Sequence, residues 1–431
     1  MKIEIIVFKK DNCFMILRLS YGQSVKEVYG MDAIDVLTNL EKLKVYYQPI
    51  FSADEHVVIA YEVSGKLIDN EEVINLNTFA YDDDIPEEYR VEVEHKILHL
   101  ALSQLAEESK DFNIYLPCNA NLLILDYGEI FFEIIKKYIP EEELSRIVLV
   151  ISEHNFNGEF RQLNNIIRYY QTYGMKIAIN QVGSESHWDY IKTLSPNILK
   201  LDIEQLSYQS WGEQNDLFTS LGKLARKIGA NMLFEGIDKE YKLQFAWKNG
   251  GRYYQGKYLA DVHTGTIPRD QLKKSFKERC QQFISTEKRL LEDNYNALKN
   301  LQTTLEKSVQ RIKPSSDNTD QLLALAKELD AYSFRLYICD GEGFQTSPNI
   351  MCIDKKWHIQ EEAVNKNWSW RPYFLKTIIE MRNDQSGVLS DLYSDIDTGE
   401  LTRTFSIPVN VNEYLFIDIS YDYLYNHNIF R

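Results

Sequence analysis

From about residue 45 to residue 265, short apolar runs recur along the chain: VYYQPIF, HVVIAYEV, FNIYLPC, RIVLVI, KIAIN, ILKLD, NMLFEG and RYYQGKYL. Stretches with helical spacing alternate with them, which is the pattern of a parallel α/β fold. Eight strands in this span predict a (β/α)8, TIM-like barrel, and in such barrels polar residues at strand ends line the functional face. Gln48, Glu62, Lys200, Asp202, Glu235 and Gln255 each end or follow a strand and are the candidates for that face.

Beyond the barrel, from about Pro268 to Ile312, the pattern is helical. Leu291, Tyr295, Leu298, Gln302, Leu305, Val309 and Ile312 keep a 4-3-4-3 spacing interrupted only by Gln302. This predicts a connector helix able to pair with a second helix; a single helix packed on the barrel has the same pattern. Pro314 and the polar run Ser315-Ser316-Asp317-Asn318 mark its end. The remainder reads as one helix and then strands (FRLYICD, LTRTFSIPV, EYLFIDI) with hairpin turns around the helix-like WRPYFLKTIIEMR. Hairpins around a single helix predict a PAS- or Cache-like α+β sensor module large enough to enclose a small ligand. The expected organisation is 31–265 barrel, 266–314 helical connector and 315–431 sensor, with 1–30 set apart.

Residues 1–30 are set apart because Met31 opens an ordinary helical N-terminus, MDAIDVLTNLEKL, and the codons of Lys26-Glu27-Val28 can spell a ribosome-binding sequence just before it. The segment is therefore expected to be an upstream extension of the reading frame. The alternative is a β-hairpin, with IEIIVF and FMILRL as strands around KKDN.

Composition narrows the function classes. Hydrophobic residues at 44% and charged residues at 26% of 431 fit a globular chain of more than one core. No run of apolar residues is long enough to span a membrane or to serve as a secretory signal, so a cytoplasmic location is expected. The five cysteines are scattered without CxxC spacing, which argues against a disulfide framework or a thiolate zinc site. A net charge of −16 disfavours nucleic acid and anionic lipid as partners. His95 and His99 lie i, i+4 on a predicted helix, yet no third ligand accompanies them, and a packed or solvated helix face is the reading preferred.

The segments YYQPIFSADEHVVIAYEVSGK, ISEHNF, GMKIAINQVGSES, LSPNILKLD, LFEGID and NGGRYYQGKYL, in this order, resemble the EAL family of cyclic-di-GMP phosphodiesterases. NWSWRPYF and SDLYSDIDTGELTRTFS make the chain similar to the YkuI-like subgroup. The resemblance implies a reaction in which water activated by Mg²⁺ or Mn²⁺ opens one phosphodiester of the cyclic dinucleotide, the ions held by oxygen ligands at successive strand ends. It places Glu62 at the glutamate of the EAL motif, Lys66 at its phosphate-contacting arginine and Glu235 at the general base. Lys200, Asp202, Gln255 and Gln48 match further motif positions.

The same resemblance shows what is missing. Pro117 stands at the asparagine ligand, with Asn119 as an imperfect substitute; Val150 stands at a glutamate ligand, leaving Glu153 as the second acid of VISE; Asn180-Gln181 replaces the aspartate pair that bridges the two ions. Glu62, Asn119 and Asn180 are then a vestigial metal set. No bound cofactor is expected, and Mg²⁺ or Mn²⁺ enters only with residual activity. In the C-terminal module Arg371, Trp368, Trp370, Tyr373, Asp391 and Tyr393 resemble the pocket lining of Cache-like sensors, while burial of Arg371 against Asp391 or Asp395 is the structural alternative.

Three functions stay open on the sequence. The first is a non-catalytic cyclic-di-GMP effector regulated by the sensor module. The second is an adaptor that docks a protein and has lost the nucleotide; the third is a weakly active, metal-dependent phosphodiesterase. A homodimer is expected in each.

Overall fold

The computed structural model describes all residues except 1–6, 11–12, 17–32, 70–71, 77, 107, 109–110, 153–155, 184–185, 208–210, 372–373, 428 and 430–431. Of the first thirty, Val7–Lys10 and Cys13–Ile16 pair as an antiparallel hairpin; the reading of that segment as an upstream extension otherwise falls outside the described residues.

All eight predicted strands form, and they close. Around the sheet the order is Leu43–Ser52, Tyr253–Tyr254, Asn231–Glu235, Ile198–Asp202, Lys176–Asn180, Ile147–Ser152, Asn113–Pro117 and Val58–Asp69, which pairs back to Leu43–Ser52. One feature departs from the all-parallel expectation. Leu43–Ser52 runs antiparallel to both of its neighbours. Only residues 53–57 join it to Val58–Asp69, a hairpin-length link, whereas a parallel crossover needs a dozen residues or more.

Inside the barrel Ile50, Ala60, Tyr115, Val148, Val150, Ala178, Ile198 and Leu233 pack into one cluster. The outer helices turn apolar stripes to the sheet. In Phe160–Thr172 the buried set is Leu163, Ile166, Ile167 and Tyr170, spaced i, i+3, i+4, i+7. Among the described residues no helix is long and apolar enough to cross a membrane, and Cys118, Cys280, Cys339 and Cys352 are unpaired by disulfides.

The chain divides into two compact units at Cys280/Gln281. The second is built on a six-stranded antiparallel sheet ordered Lys356–Gln360, Asn349–Ile353, Ser333–Asp340, Glu413–Ile419, Thr404–Pro408 and Val388–Leu389. Period-two alternation sorts its two faces. Leu336, Ile338, Leu415 and Ile417 join Leu322 and Leu325 of helix Thr319–Glu328 on one side. Tyr337, Cys339, Tyr414 and Phe416 join Phe374, Ile378 and Met381 of helix Phe374–Asp384 on the other.

The predicted pairing stripe divides along the 40-residue helix Lys273–Ile312. Leu298, Leu305, Val309 and Ile312 pack, with Leu301, into the core of the second unit. Leu291 and Tyr295 are exposed. The sheet of the second unit and the helix Thr319–Glu328 therefore cover the stripe's C-terminal half.

Candidate functional site

Register brings the candidate positions level with one another around the barrel. Gln48 is opposite Glu62, Pro117 opposite Val150, Ser152 opposite Asn180, and Asp202 opposite Glu235. Two glycines fix the direction of the last acid and the last amide. A Cβ on Gly236, at φ 76°, would meet the Glu204 nitrogen at 2.6 Å, and one on Gly256, at φ 154°, would meet the Ile237 oxygen at 2.0 Å. Neither position accepts a side chain, so the EG and QG pairs aim Glu235 and Gln255.

At the centre is Lys200, 1% exposed. Its Nζ lies 2.6 Å from Glu62 Oε1 and 3.0 Å from Glu235 Oε2. Gln255 Nε2 donates to the other Glu62 oxygen at 2.7 Å. Burial alone would lower the Lys200 ammonium, but the Glu235 and Glu62 carboxylates reverse that and hold it above the ordinary lysine value. Burial pushes the Glu235 carboxyl up, and Lys200 offsets only part of the rise. Asn180 Oδ1, Gln255 Oε1 and Ser152 Oγ are shielded from solvent and have no hydrogen-bond partner among the described residues.

Glu62, Asn180, Lys200, Glu235 and Gln255 line a cavity of about 380 Å³. Gln48 reaches it while donating from Nε2 to the Ala260 carbonyl at 2.8 Å. Lys66 also lines it, its Nζ 4.6 Å from the Tyr46 ring centroid. Pro117 and Val150 present no donor there, and Val150 belongs to the barrel's apolar interior. Asn119 is committed elsewhere: its Oδ1 accepts the Asn121 N–H at 2.9 Å and its Nδ2 donates to the Ala80 carbonyl at 2.5 Å, capping a short helix. Asp202 does not line the cavity. It is exposed, and its Oδ1 accepts the Glu204 N–H at 2.8 Å. Gln181 is exposed in the left-handed region at φ 55°, and Glu153 falls outside the described residues.

The cavity also contains a carboxyl that sequence reasoning missed. Glu94, on helix Glu87–Leu105, accepts the Asn119 N–H at 2.8 Å through Oε1. Burial pushes this carboxyl from 4.5 up to about 7, and the Asn119 hydrogen bond offsets only part of the rise. The folded chain therefore holds the proton more tightly than the unfolded chain. The stability this contributes is full below pH 4.5 and is lost as pH rises through about 7, a difference on the order of 3 kcal/mol at pH 8. Glu94→Gln, whose amide oxygen can still accept the Asn119 N–H, is expected to melt higher than the parent at pH 8 and close to it at pH 5. Equal melting temperatures at pH 8 would remove the buried carboxylate from the account.

His99 Nδ1 lies 3.2 Å from the Tyr138 hydroxyl, a packed helix face rather than a ligand pair with His95. In the second unit the Arg371 guanidinium stacks 4.6 Å from the Trp368 ring centroid and 5.9 Å from that of Trp370. Trp368 Nε1 donates to Gln345 Oε1 at 2.9 Å, and Tyr393 shares a 2.7 Å hydrogen bond with Thr404. Asp391 is exposed, and Tyr373 falls outside the described residues. Asp395, the other acid considered for Arg371, pairs with Arg335.

A model of the EAL domain matches residues 32–261, and a model described as an EAL-domain associated signalling protein domain matches residues 266–430. The chain is 44% identical over 403 residues to the EAL-domain containing protein YkuI of Bacillus subtilis (strain 168), covering 92% of this chain and 99% of that protein. The crystal structure of the Bacillus subtilis YkuI protein, in complex with substrate c-di-GMP and calcium, superposes with a TM-score of 0.86 over 93% of this chain and 100% of that one. With the barrel closed, its candidate residues in register and both segments matched, this chain belongs to the EAL-domain family.

Proposed function

We propose that this protein is a cyclic-di-GMP-binding signalling protein without phosphodiesterase turnover, in which the barrel holds the dinucleotide and the C-terminal unit regulates it. The observation that carries this reading is the charge balance of the cavity. Lys200 and Lys66 offset Glu62 and Glu235, Glu94 is the one lining carboxyl left without a cation among the described residues, and no carboxylate stands at Pro117, Val150 or Asn180. A dianion with two phosphodiesters can enter such a site without a metal, through charge-assisted contacts to the two ammonium groups. The relative that superposes over nearly the whole chain was crystallised with c-di-GMP.

A two-ion centre does not fit these side chains. Both Glu62 oxygens are engaged, and Asn119 is held by its capping bonds. Among the described residues no group of three or more His, Cys, Asp or Glu could hold a metal. A second reading keeps a single hard cation, favoured by the partnerless Asn180 Oδ1 and Gln255 Oε1 beside the two glutamates. That ion would neutralise phosphate charge, with weak turnover as its consequence.

Titration calorimetry with cyclic-di-GMP, with and without Mg²⁺ or Mn²⁺, combined with chromatography for the linear dinucleotide, separates the readings. Micromolar binding that needs no metal and gives no product is expected. Product formed with Mn²⁺ would favour the single-cation reading, and no heat under any condition would leave a protein-docking adaptor. The proposal extends to a cytoplasmic homodimer, which light scattering would check. It also extends to a PAS- or Cache-like sensing role for the second unit.

A further inference from the structure

We infer that Glu94 selects guanine: a purine base enters the barrel cavity beside helix Glu87–Leu105 and donates its N1–H and 2-amino hydrogens to the Glu94 carboxylate. This rests on the cyclic-di-GMP reading above and names the specificity determinant within it. The cavity lining has two chemically distinct sets of side chains. One is charged, Glu62, Lys66, Lys200 and Glu235; the other is apolar, with Val93, Ile97 and Leu98 from helix Glu87–Leu105 and Phe131 from helix Glu129–Tyr138. Apolar walls suit the faces of a flat ring, and the ammonium groups suit phosphate.

Glu94 is the carboxyl beside those apolar walls, with Tyr81 and Cys118 kept neutral by burial, and it shares a helix face with Ile97 and Leu98, at i+3 and i+4. Its carboxyl is oriented from behind. Oε1 accepts the Asn119 N–H at 2.8 Å, and Asn119 is itself fixed by its bonds to Asn121 and Ala80. Among the described residues Oε2 has no hydrogen-bond partner. An ionised carboxylate only accepts hydrogen bonds, and guanine presents two adjacent donors on its pairing edge. Adenine presents an acceptor, N1, beside a single donor, so the same carboxylate meets one repulsive contact.

Calorimetry at pH 8, where the Glu94 carboxyl is ionised, of the full-length protein and of Glu94→Gln with cyclic-di-GMP and with cyclic-di-AMP tests this. The parent is expected to prefer the guanine ligand. In the variant an amide that carries donor hydrogens replaces an acceptor, so cyclic-di-GMP should bind on the order of 10- to 100-fold more weakly while cyclic-di-AMP changes little. A smaller folded fraction would weaken both ligands together and leave their ratio intact, so the collapse of the ratio is the deciding readout. If the variant keeps the parent's affinity and ratio, or the parent binds both ligands equally, the assignment of Glu94 is overturned while cyclic-di-GMP binding stands. If the parent binds neither ligand, the binding reading fails and this inference fails with it.

Discussion

Lys200→Met is expected to destabilise the barrel by about 3–5 kcal/mol and to abolish binding of an anionic dinucleotide. The substitution removes the shared cation of two carboxylates, leaving Glu62 and Glu235 facing one another in a largely buried site. For a unit of this size the loss corresponds to a fall in melting temperature of roughly 6–20 °C. The pH dependence gives the cause away. In the parent, the Lys200 pair contributes in full below the ordinary lysine value as long as its partner carboxylates are ionised, because the folded-state ammonium is held above that value. In the variant, two uncompensated carboxylates take up protons more readily in the folded state, so the deficit should be largest at pH 8 and shrink as pH falls toward 5. A second substitution, Glu62→Gln, removes one of the two charges and should recover part of the loss. A deficit independent of pH would mean that Lys200 acts through packing alone.

Much of the barrel is legible in the chain because a strand buried in a closed sheet has to be written as an apolar run, and each of the eight runs forms one. The reversal of Leu43–Ser52 is legible too, but in the shortness of residues 53–57 rather than in the strand. Polar residues at strand ends identify Glu62, Lys200, Glu235 and Gln255, which the structure brings together. The same rule fails for Asp202, since the last residue of a strand can turn with the loop, as its bond to Glu204 shows.

Glu94 is invisible for a different reason. Glu87, Glu88, Glu92 and Glu94 crowd one helix, and only tertiary packing decides which of them faces a cavity. The helix stripe from Leu291 to Ile312 shows the limit of periodicity: it marks a surface that needs a partner and does not say which one. Arg335 could have been suspected. A charged residue inside the apolar strand FRLYICD calls for buried acids, and SDIDTGE and FIDI supply them from sixty or more positions away.

Those acids carry the second large effect. Arg335→Met should destabilise the C-terminal unit by at least about 3–5 kcal/mol, because it strands two buried carboxylates. Arg335 donates from Nε to Asp418 at 2.6 Å, from Nη1 to Asp397 at 2.7 Å and from Nη2 to Asp395, and Asp395 and Asp418 are almost wholly buried. Burial alone would raise the Asp395 carboxyl; the guanidinium, with hydrogen bonds from Thr398, holds it below its ordinary value. Its contribution in the parent is therefore present above the ordinary aspartate value and lost only as pH falls below it. Removing the arginine inverts this dependence, since unpaired buried carboxylates favour the protonated form and the variant should regain stability on mild acidification. Replacing the charges together, as Arg335→Met with Asp395→Asn and Asp418→Asn, should restore much of the loss, because the single substitution costs most by what it leaves unpaired. The C-terminal unit's unfolding transition, followed by calorimetry, checks both. A triple variant no more stable than Arg335→Met would assign the strand's stability to the hydrogen-bond geometry of the arginine rather than to charge compensation.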